Sequence, residues 1–278
     1  MTTRSSLRAG PAPPLAGRAV RNRGHAVRRG TGWPHTFQDR VANWHPVVAV
    51  LSVIVVGYAL VCLVFTGIGL LITHNLHSVT RWDESVNRWF AGHRTNSTNG
   101  WTGSATTVAD TMGIVAVLLA AVIVLFLLRR RWSALLLMLA VGVELGAFLT
   151  VNAFVGRPRP DVVRLGSLPS TSSFPSGHTA VMVALYGGLA VIIIARFRSR
   201  VVAWISWIVV VAATTVIGFG RVYRGMHHPS DVIAGALLGL AVLGVAVVAV
   251  RVARMAVAAR HQPPVVDRVL PSESEVAA

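Results

Sequence analysis

VVAVLSVIVVGYALVCLVFTGIGLLI, residues Val47 to Ile72, runs for more than the thickness of a bilayer without one charged side chain. A hydrocarbon core of about 30 Å is spanned by roughly 20 consecutive apolar residues in a helix, because with no water present each backbone amide must be satisfied within its own segment. Five further runs meet the same condition: Ala105 to Leu128, Ser133 to Val155, His178 to Ala195, Val201 to Phe219 and Val232 to Val250. The expected fold is therefore all-α, a polytopic bundle of six transmembrane helices. Composition agrees. Hydrophobic residues make up 54% of the 278, and the 25 Gly raise the apolar share to about 63%, against roughly 45–50% in soluble domains. With only 13% charged residues and a mean hydropathy of +0.62, the chain is not a soluble globule, a disordered chain or a secreted disulfide scaffold. Its one cysteine, Cys62, lies inside the first run and has no internal partner for a disulfide.

All 26 basic residues are arginine, and the formal net charge is +16. Such a charge would suit nucleic acid if it formed one patch. Instead eight Arg precede the first run and most of the others fill short gaps between runs, which marks them as topology determinants and argues against a nucleic-acid partner. With six spans both tails share one side with the gaps Arg129 to Arg131 and Arg196 to Arg200. That side holds 18 Arg against 8 opposite, so both termini are expected in the cytoplasm. The domain plan is a basic, disordered tail over residues 1–45, a six-span region over 46–250 and a cytoplasmic tail over 251–278. A cleavable signal peptide is not expected, because the basic leader is too long and the first apolar run exceeds an h-region.

Three loops then face outward: Thr73 to Ser104, Gly156 to Gly177, and Gly220 to Asp231. In the first, Thr80-Arg-Trp-Asp83 resembles a capping box and precedes Trp82, Val86, Trp89 and Phe90 at helical spacing, which predicts a short interfacial helix with an aromatic belt. His74, His77 and His93 lack acids or Cys at ligand spacing and read as solvated.

The second loop contains Gly156-Arg-Pro-Arg-Pro-Asp161 and ends in Phe174-Pro-Ser-Gly-His-Thr179. Pro158 and Pro160 stiffen the segment that carries Arg157 and Arg159, whose planar guanidinium groups suit phosphate oxygens. Ser176 stands at an N-cap position and Gly177 admits close backbone approach, so the fourth span begins with amides and a positive dipole end available to an anion, with His178 in its first turn. The third loop, Gly220-Arg-Val-Tyr-Arg-Gly-Met-His-His-Pro-Ser-Asp231, sets His227 four residues before Asp231. A carboxylate accepting the Nδ1 proton would leave Nε2 free as a nucleophile. The arginine bias places both loops at one membrane face, where two histidines, several arginines and a helix amino end could converge on a phosphoryl group. A metal held by His178, His227, His228 and Asp231 is the chemical alternative.

These motifs resemble the type 2 phosphatidate phosphatase superfamily of integral membrane lipid phosphatases. That family's signature has three parts: Lys, six residues, Arg-Pro; Pro-Ser-Gly-His; and Ser-Arg, five residues, His, three residues, Asp. Here the second part is complete at Pro175 to His178, and the third keeps Arg221, His227 and Asp231 with Gly220 in place of Ser. The first keeps Arg159 and Pro160 but has Asn152 at the Lys position, for which Arg157 is a candidate substitute. The resemblance implies that His227 attacks phosphorus, Asp231 orients it, and His178 protonates the leaving group and then activates water, while Arg159, Arg221, Ser176 and Gly177 hold the phosphate, without a metal or cofactor. It implies hydrolysis of a lipid phosphomonoester or diphosphate, a phosphatidate-like lipid or a polyprenyl diphosphate such as undecaprenyl diphosphate, at the outer face of the cell membrane. Two alternatives share the sequence features: a phosphotransferase using an acceptor other than water, and a lipid-binding or transport protein without turnover. Outside the motifs, Glu144 lies mid-span on the face that carries Phe148 and Asn152, either hydrogen-bonded within the bundle or near a substrate pocket. Asp110 reads as interfacial.

Overall fold

A computed structural model describes residues 46–260 except 109, 168 and 169. The sequence-predicted tails over 1–45 and beyond 260 lie outside the described residues. Among the described residues the chain forms eight helices and no strand: α1 Pro46–His74, α2 His77–Gly92, α3 Asn96–Val108, α4 Thr111–Leu127, α5 Arg131–Val155, α6 Gly177–Phe197, α7 Arg200–Tyr223 and α8 Pro229–Arg260. Helices α1, α5, α6, α7 and α8 are long and apolar enough to cross a membrane, and α3 with α4 make a sixth span if that pair, bent by 43°, counts as one. The second apolar run is thus not one straight helix. The backbone of Asp110 turns extended (φ −69°, ψ 159°) at the N-cap position of α4, but its side chain makes no capping hydrogen bond.

The last span also differs from its expected end at Val250. Helix α8 continues to Arg260, ten residues past that expected end. Arg251 and Arg254 lie on the exposed face while Val252, Ala253 and Ala256 are buried, and Val252 packs with Ala49 of α1. Helix α2 is present in the segment between the first two apolar runs but begins three residues before the expected capping box. Its N-cap is Leu76, and Thr80 Oγ1 donates to the carbonyls of Ile72 and Leu76 instead of capping. Its exposed face carries Trp82 and Trp89, while Asp83 and Asn87 are buried on the other.

Helix α8 is the central element, packed along α1, α5 and α6. Leu238 and Val242 are fully buried in a core with Val61, Phe65, Val151, Phe174, Ala180 and Ala184. The close approach of α6 to α8 depends on Gly235 and Gly239, four residues apart: a Cβ at Gly239 would collide with the carbonyl of Ala180, and one at Gly235 with the carbonyl of Ser176. Small residues at this spacing let two helix backbones pack directly, which matters where lipid removes the hydrophobic drive for helix association. Because Ser176 begins the segment that carries His178, this contact also fixes the site. Gly239→Val is expected to destabilise the protein by about 1–3 kcal/mol or more through overpacking against a backbone that cannot yield, seen as a lower Tm in detergent; an unchanged Tm contradicts this packing.

Candidate active site

Helix α5 closes at Gly156, whose left-handed backbone (φ 61°) turns the chain into the loop before α6. The next side chain goes inward. Arg157 is 2% exposed and forms ion pairs with two fully buried carboxylates, 2.7 Å from Nη2 to Asp83 Oδ2 on α2 and 2.6 Å from Nη1 to Asp231 Oδ1 on α8. Ser230 completes the join, its amide donating to Asp83 Oδ1 and its hydroxyl to Asp83 Oδ2. Burial opposes the charge of Arg157, but the facing Asp231 and Asp83 hold its pKa above the ordinary value. The adjoining His228 places Nδ1 3.1 Å from Asp231 Oδ2 and Nε2 3.0 Å from Glu84 Oε1. Burial disfavours its charge, yet the bonds to Asp231 and Glu84 raise its pKa, so both ring nitrogens act as donors. Helix α2, the second loop and the start of α8 are thereby fastened into one unit.

His227 is held differently from the expectation. Its Nδ1 lies 2.7 Å from the carbonyl of Ser173 and 4.0 Å from Asp231 Oδ2. A carbonyl only accepts, so Nδ1 carries the proton and Nε2 presents its lone pair. Asp231 acts one step removed: its Oδ2 accepts from Ser173 Oγ at 2.5 Å and from the amide of His228 at 2.8 Å, which fixes the residue whose carbonyl orients His227. Burial and then the nearby charge of Arg221 push the His227 pKa well below the ordinary imidazole value.

His227, His178, Arg159, Arg221 and Gly177 all line one cavity of about 260 Å³, whose walls are otherwise largely apolar side chains of α4, α5 and α6. Arg159 donates to the carbonyls of Thr171, Ser172 and Met226, tying the second loop to the third, and burial lowers its pKa. Arg221 is buried and its Nε has no hydrogen-bond partner. Neither of these two guanidinium groups forms an ion pair among the described residues, in contrast to Arg157. His178 Nε2 sits 3.1 Å from Asp110 Oδ1, so Asp110 faces the site. Ser176 lies beneath the cavity rather than on its wall, accepting from Thr179 Oγ1, while its amide donates to the carbonyl of Asp231.

Two expected phosphate ligands are used otherwise. Arg157 is enclosed in its ion pairs and does not line the cavity, so it does not replace the missing cation. Asn152 donates to the carbonyls of Ser172 and Phe174 and accepts from the amide of Ser172, acting as a clamp on the second loop. Gly220 also has a local reason: a Cβ there would lie 3.2 Å from Thr106 Cγ2, where α3 packs on α7. The sequence reading missed Asp83, Glu84, Asn87 and Ser173. The one available signal was Asp83 and Asn87 at four-residue spacing, which places the two polar side chains on one face of the helix.

Residues 131–255 match the PAP2 superfamily. This stretch is a PAP2 superfamily domain. The chain is 31% identical over 111 residues to phosphatidylglycerophosphatase B of Bacillus subtilis (strain 168), covering 39% of this chain and 54% of that one. A lipid A 4'-phosphatase of Bacteroides thetaiotaomicron is 35% identical over 99 residues, covering 32% and 40% respectively. The chain thus spans about half the length, or less, of these curated relatives. The fold superposes on the crystal structure of a transmembrane PAP2-type phosphatidylglycerolphosphate phosphatase from Bacillus subtilis with a TM-score of 0.61 at 23% identity, covering 66% of this chain and 92% of that one. The PAP2 domain is accordingly part of an all-helical, multi-pass membrane protein.

Replacing Arg157 by Leu would strand two buried carboxylates, and breaking a buried pair this way costs about 3–5 kcal/mol. A large fall in Tm in detergent is expected for Arg157→Leu and a much smaller one for Arg159→Ala; equal shifts would contradict the distinction between the two arginines.

Proposed function

We propose that the protein is a lipid phosphatase that hydrolyses a lipid phosphomonoester or diphosphate through a phosphohistidine. The observation that carries this reading is the cavity in which His178, His227, Arg159 and Arg221, drawn from separate segments, meet against apolar walls. The lone pair of His227 Nε2 attacks phosphorus and forms the N–P bond as the P–O bond to the lipid breaks. Protonated His178 gives its proton to the leaving oxygen, and Asp110 beside Nε2 stabilises the charged ring before that transfer. Neutral His178 then takes a proton from water, whose oxygen attacks phosphorus, breaks the N–P bond and releases inorganic phosphate. Arg159, Arg221 and the amides at the start of α6 neutralise the phosphoryl oxygens, so the reaction needs no metal.

The apolar walls suit the chain of a lipid, and the relatives' names, phosphatidylglycerophosphatase and lipid A phosphatase, point to the same substrate class. The arginine bias supports cytoplasmic termini and an active site on the outer face. Phosphate release from a panel of lipid phosphates and diphosphates by detergent-solubilised protein tests the reading. His227→Ala should abolish turnover, His178→Ala should slow it by about 10²–10⁴-fold, and EDTA should leave it unchanged. A His227→Ala protein as active as wild type sinks the proposal.

The pH profile provides an independent check. His227 must be neutral to attack, and its pKa lies well below the ordinary imidazole value, so the acid limb of kcat/KM should fall below about pH 6.5. The stability consequence has the same origin: below about pH 6.5 the unfolded imidazole binds a proton that the folded one rejects, so this group lowers stability as pH falls and contributes nothing above that range. An acid limb at or above pH 6.5 would contradict the environment described for His227.

A further inference from the structure

Glu144 stands in the middle of α5, is 3% exposed and lines the cavity, yet its Oε1 has no hydrogen-bond partner and it forms no ion pair among the described residues. Around it the cavity wall is hydrocarbon from Ile114, Val141 and Val181. A bond within the helix bundle, the ordinary reason for such a residue, is not made by Oε1. Burying an unpaired carboxyl is costly, and the cost is removed when a ligand supplies the missing partner.

The position identifies that partner. The ring of Phe148 packs on Gly177 at the amino end of α6, where a Cβ would lie 3.0 Å from Phe148 Cε2. Glu144 is one helical turn farther from the loops, about 6 Å at 1.5 Å per residue. A lipid whose phosphate sits among His178, His227, Arg159 and Arg221 would place there the atoms a few bonds from phosphorus. In an acylglycerol phosphate those atoms include ester carbonyls or a hydroxyl; in a prenyl phosphate they are hydrocarbon. Half-exposed Leu145 and Val115, also on the cavity wall, lie on the helix surfaces through which such a chain would leave toward the bilayer.

We propose that Glu144 is a specificity-determining residue that hydrogen-bonds the glycerol part of the substrate and so selects acylglycerol phosphates over prenyl phosphates. This rests on the lipid phosphatase reading above. A site with a buried polar group rejects an analogue that leaves the group unpaired more strongly than it rejects a change in apolar size. Glu144→Gln keeps the shape and a group able to donate and accept, whereas Glu144→Leu removes both.

The test compares wild type, Glu144→Gln and Glu144→Leu on dioleoyl phosphatidate and farnesyl phosphate in the same detergent. The kcat/KM ratio in favour of phosphatidate should fall about tenfold or more in Glu144→Leu, with the farnesyl phosphate rate unchanged or higher, and stay near wild type in Glu144→Gln. An unchanged ratio in Glu144→Leu, a parallel loss on both substrates, or a Glu144→Gln protein that behaves like Glu144→Leu overturns the inference. If wild type hydrolyses neither lipid, the phosphatase reading is decided by the wider panel of lipid phosphates and diphosphates, and the increase in Tm caused by each lipid still decides the role of Glu144. Phosphatidate should then stabilise wild type and Glu144→Gln more than Glu144→Leu while farnesyl phosphate stabilises all three alike, and equal shifts with phosphatidate overturn it.

Discussion

The buried guanidinium of Arg157 is the contact on which the site depends. It lies between Asp83 of the amphipathic helix and Asp231 at the start of the last helix, and all three side chains are cut off from solvent. Removing three charges from water is expensive, so the arrangement is sustained only by the ion pairs together with the hydrogen bonds from Ser230, Ser173 and His228. Its geometric effect is specific. The backbone carbonyl of Arg157 accepts from the amide of Ser173, the Ser173 hydroxyl reaches Asp231, and the Ser173 carbonyl fixes the tautomer of His227.

The arginines therefore divide into two groups with opposite tasks. Arg157 has two carboxylates and no access to the cavity. Arg159 and Arg221 have access to the cavity and form no ion pair with a carboxylate among the described residues. Two such guanidinium groups beside a histidine held neutral make a setting that favours an anion with several oxygens, and the apolar walls extend that preference to an anion attached to a hydrocarbon chain. Tight neutralisation on one side of His227 and open positive charge on the other lie within a few residues of the same two loops.

Much of this was legible beforehand. Apolar run lengths predicted membrane helices because backbone hydrogen bonding in lipid leaves few alternatives, and the three motifs predicted that His178, His227, Arg159 and Arg221 would share a site. The errors came where one residue type serves two purposes. The last helix runs past the end of the uninterrupted apolar run at Val250 because buried residues continue on one of its faces, where Val252, Ala253 and Ala256 lie. Thr80 and Asp83 matched a capping box, but Asp83 was already committed to Arg157. Asn152 and Arg157 matched phosphate ligands by position, yet each is consumed by loop or ion-pair contacts that only a folded chain reveals.

The sequence by itself determined the helical, membrane-embedded class and the positions of the apolar segments, since these follow from local composition, and it singled out the histidines and arginines that line one cavity. Only the tertiary structure decided which carboxylate meets which cation, that Ser173 rather than Asp231 holds the His227 ring, that Asp110 faces His178, and that Glu144 stands unpaired in the cavity wall. Pairing and burial arise between segments far apart in the chain, and a hydrogen bond or ion pair already formed inside the fold removes a residue from the list of those available to a substrate.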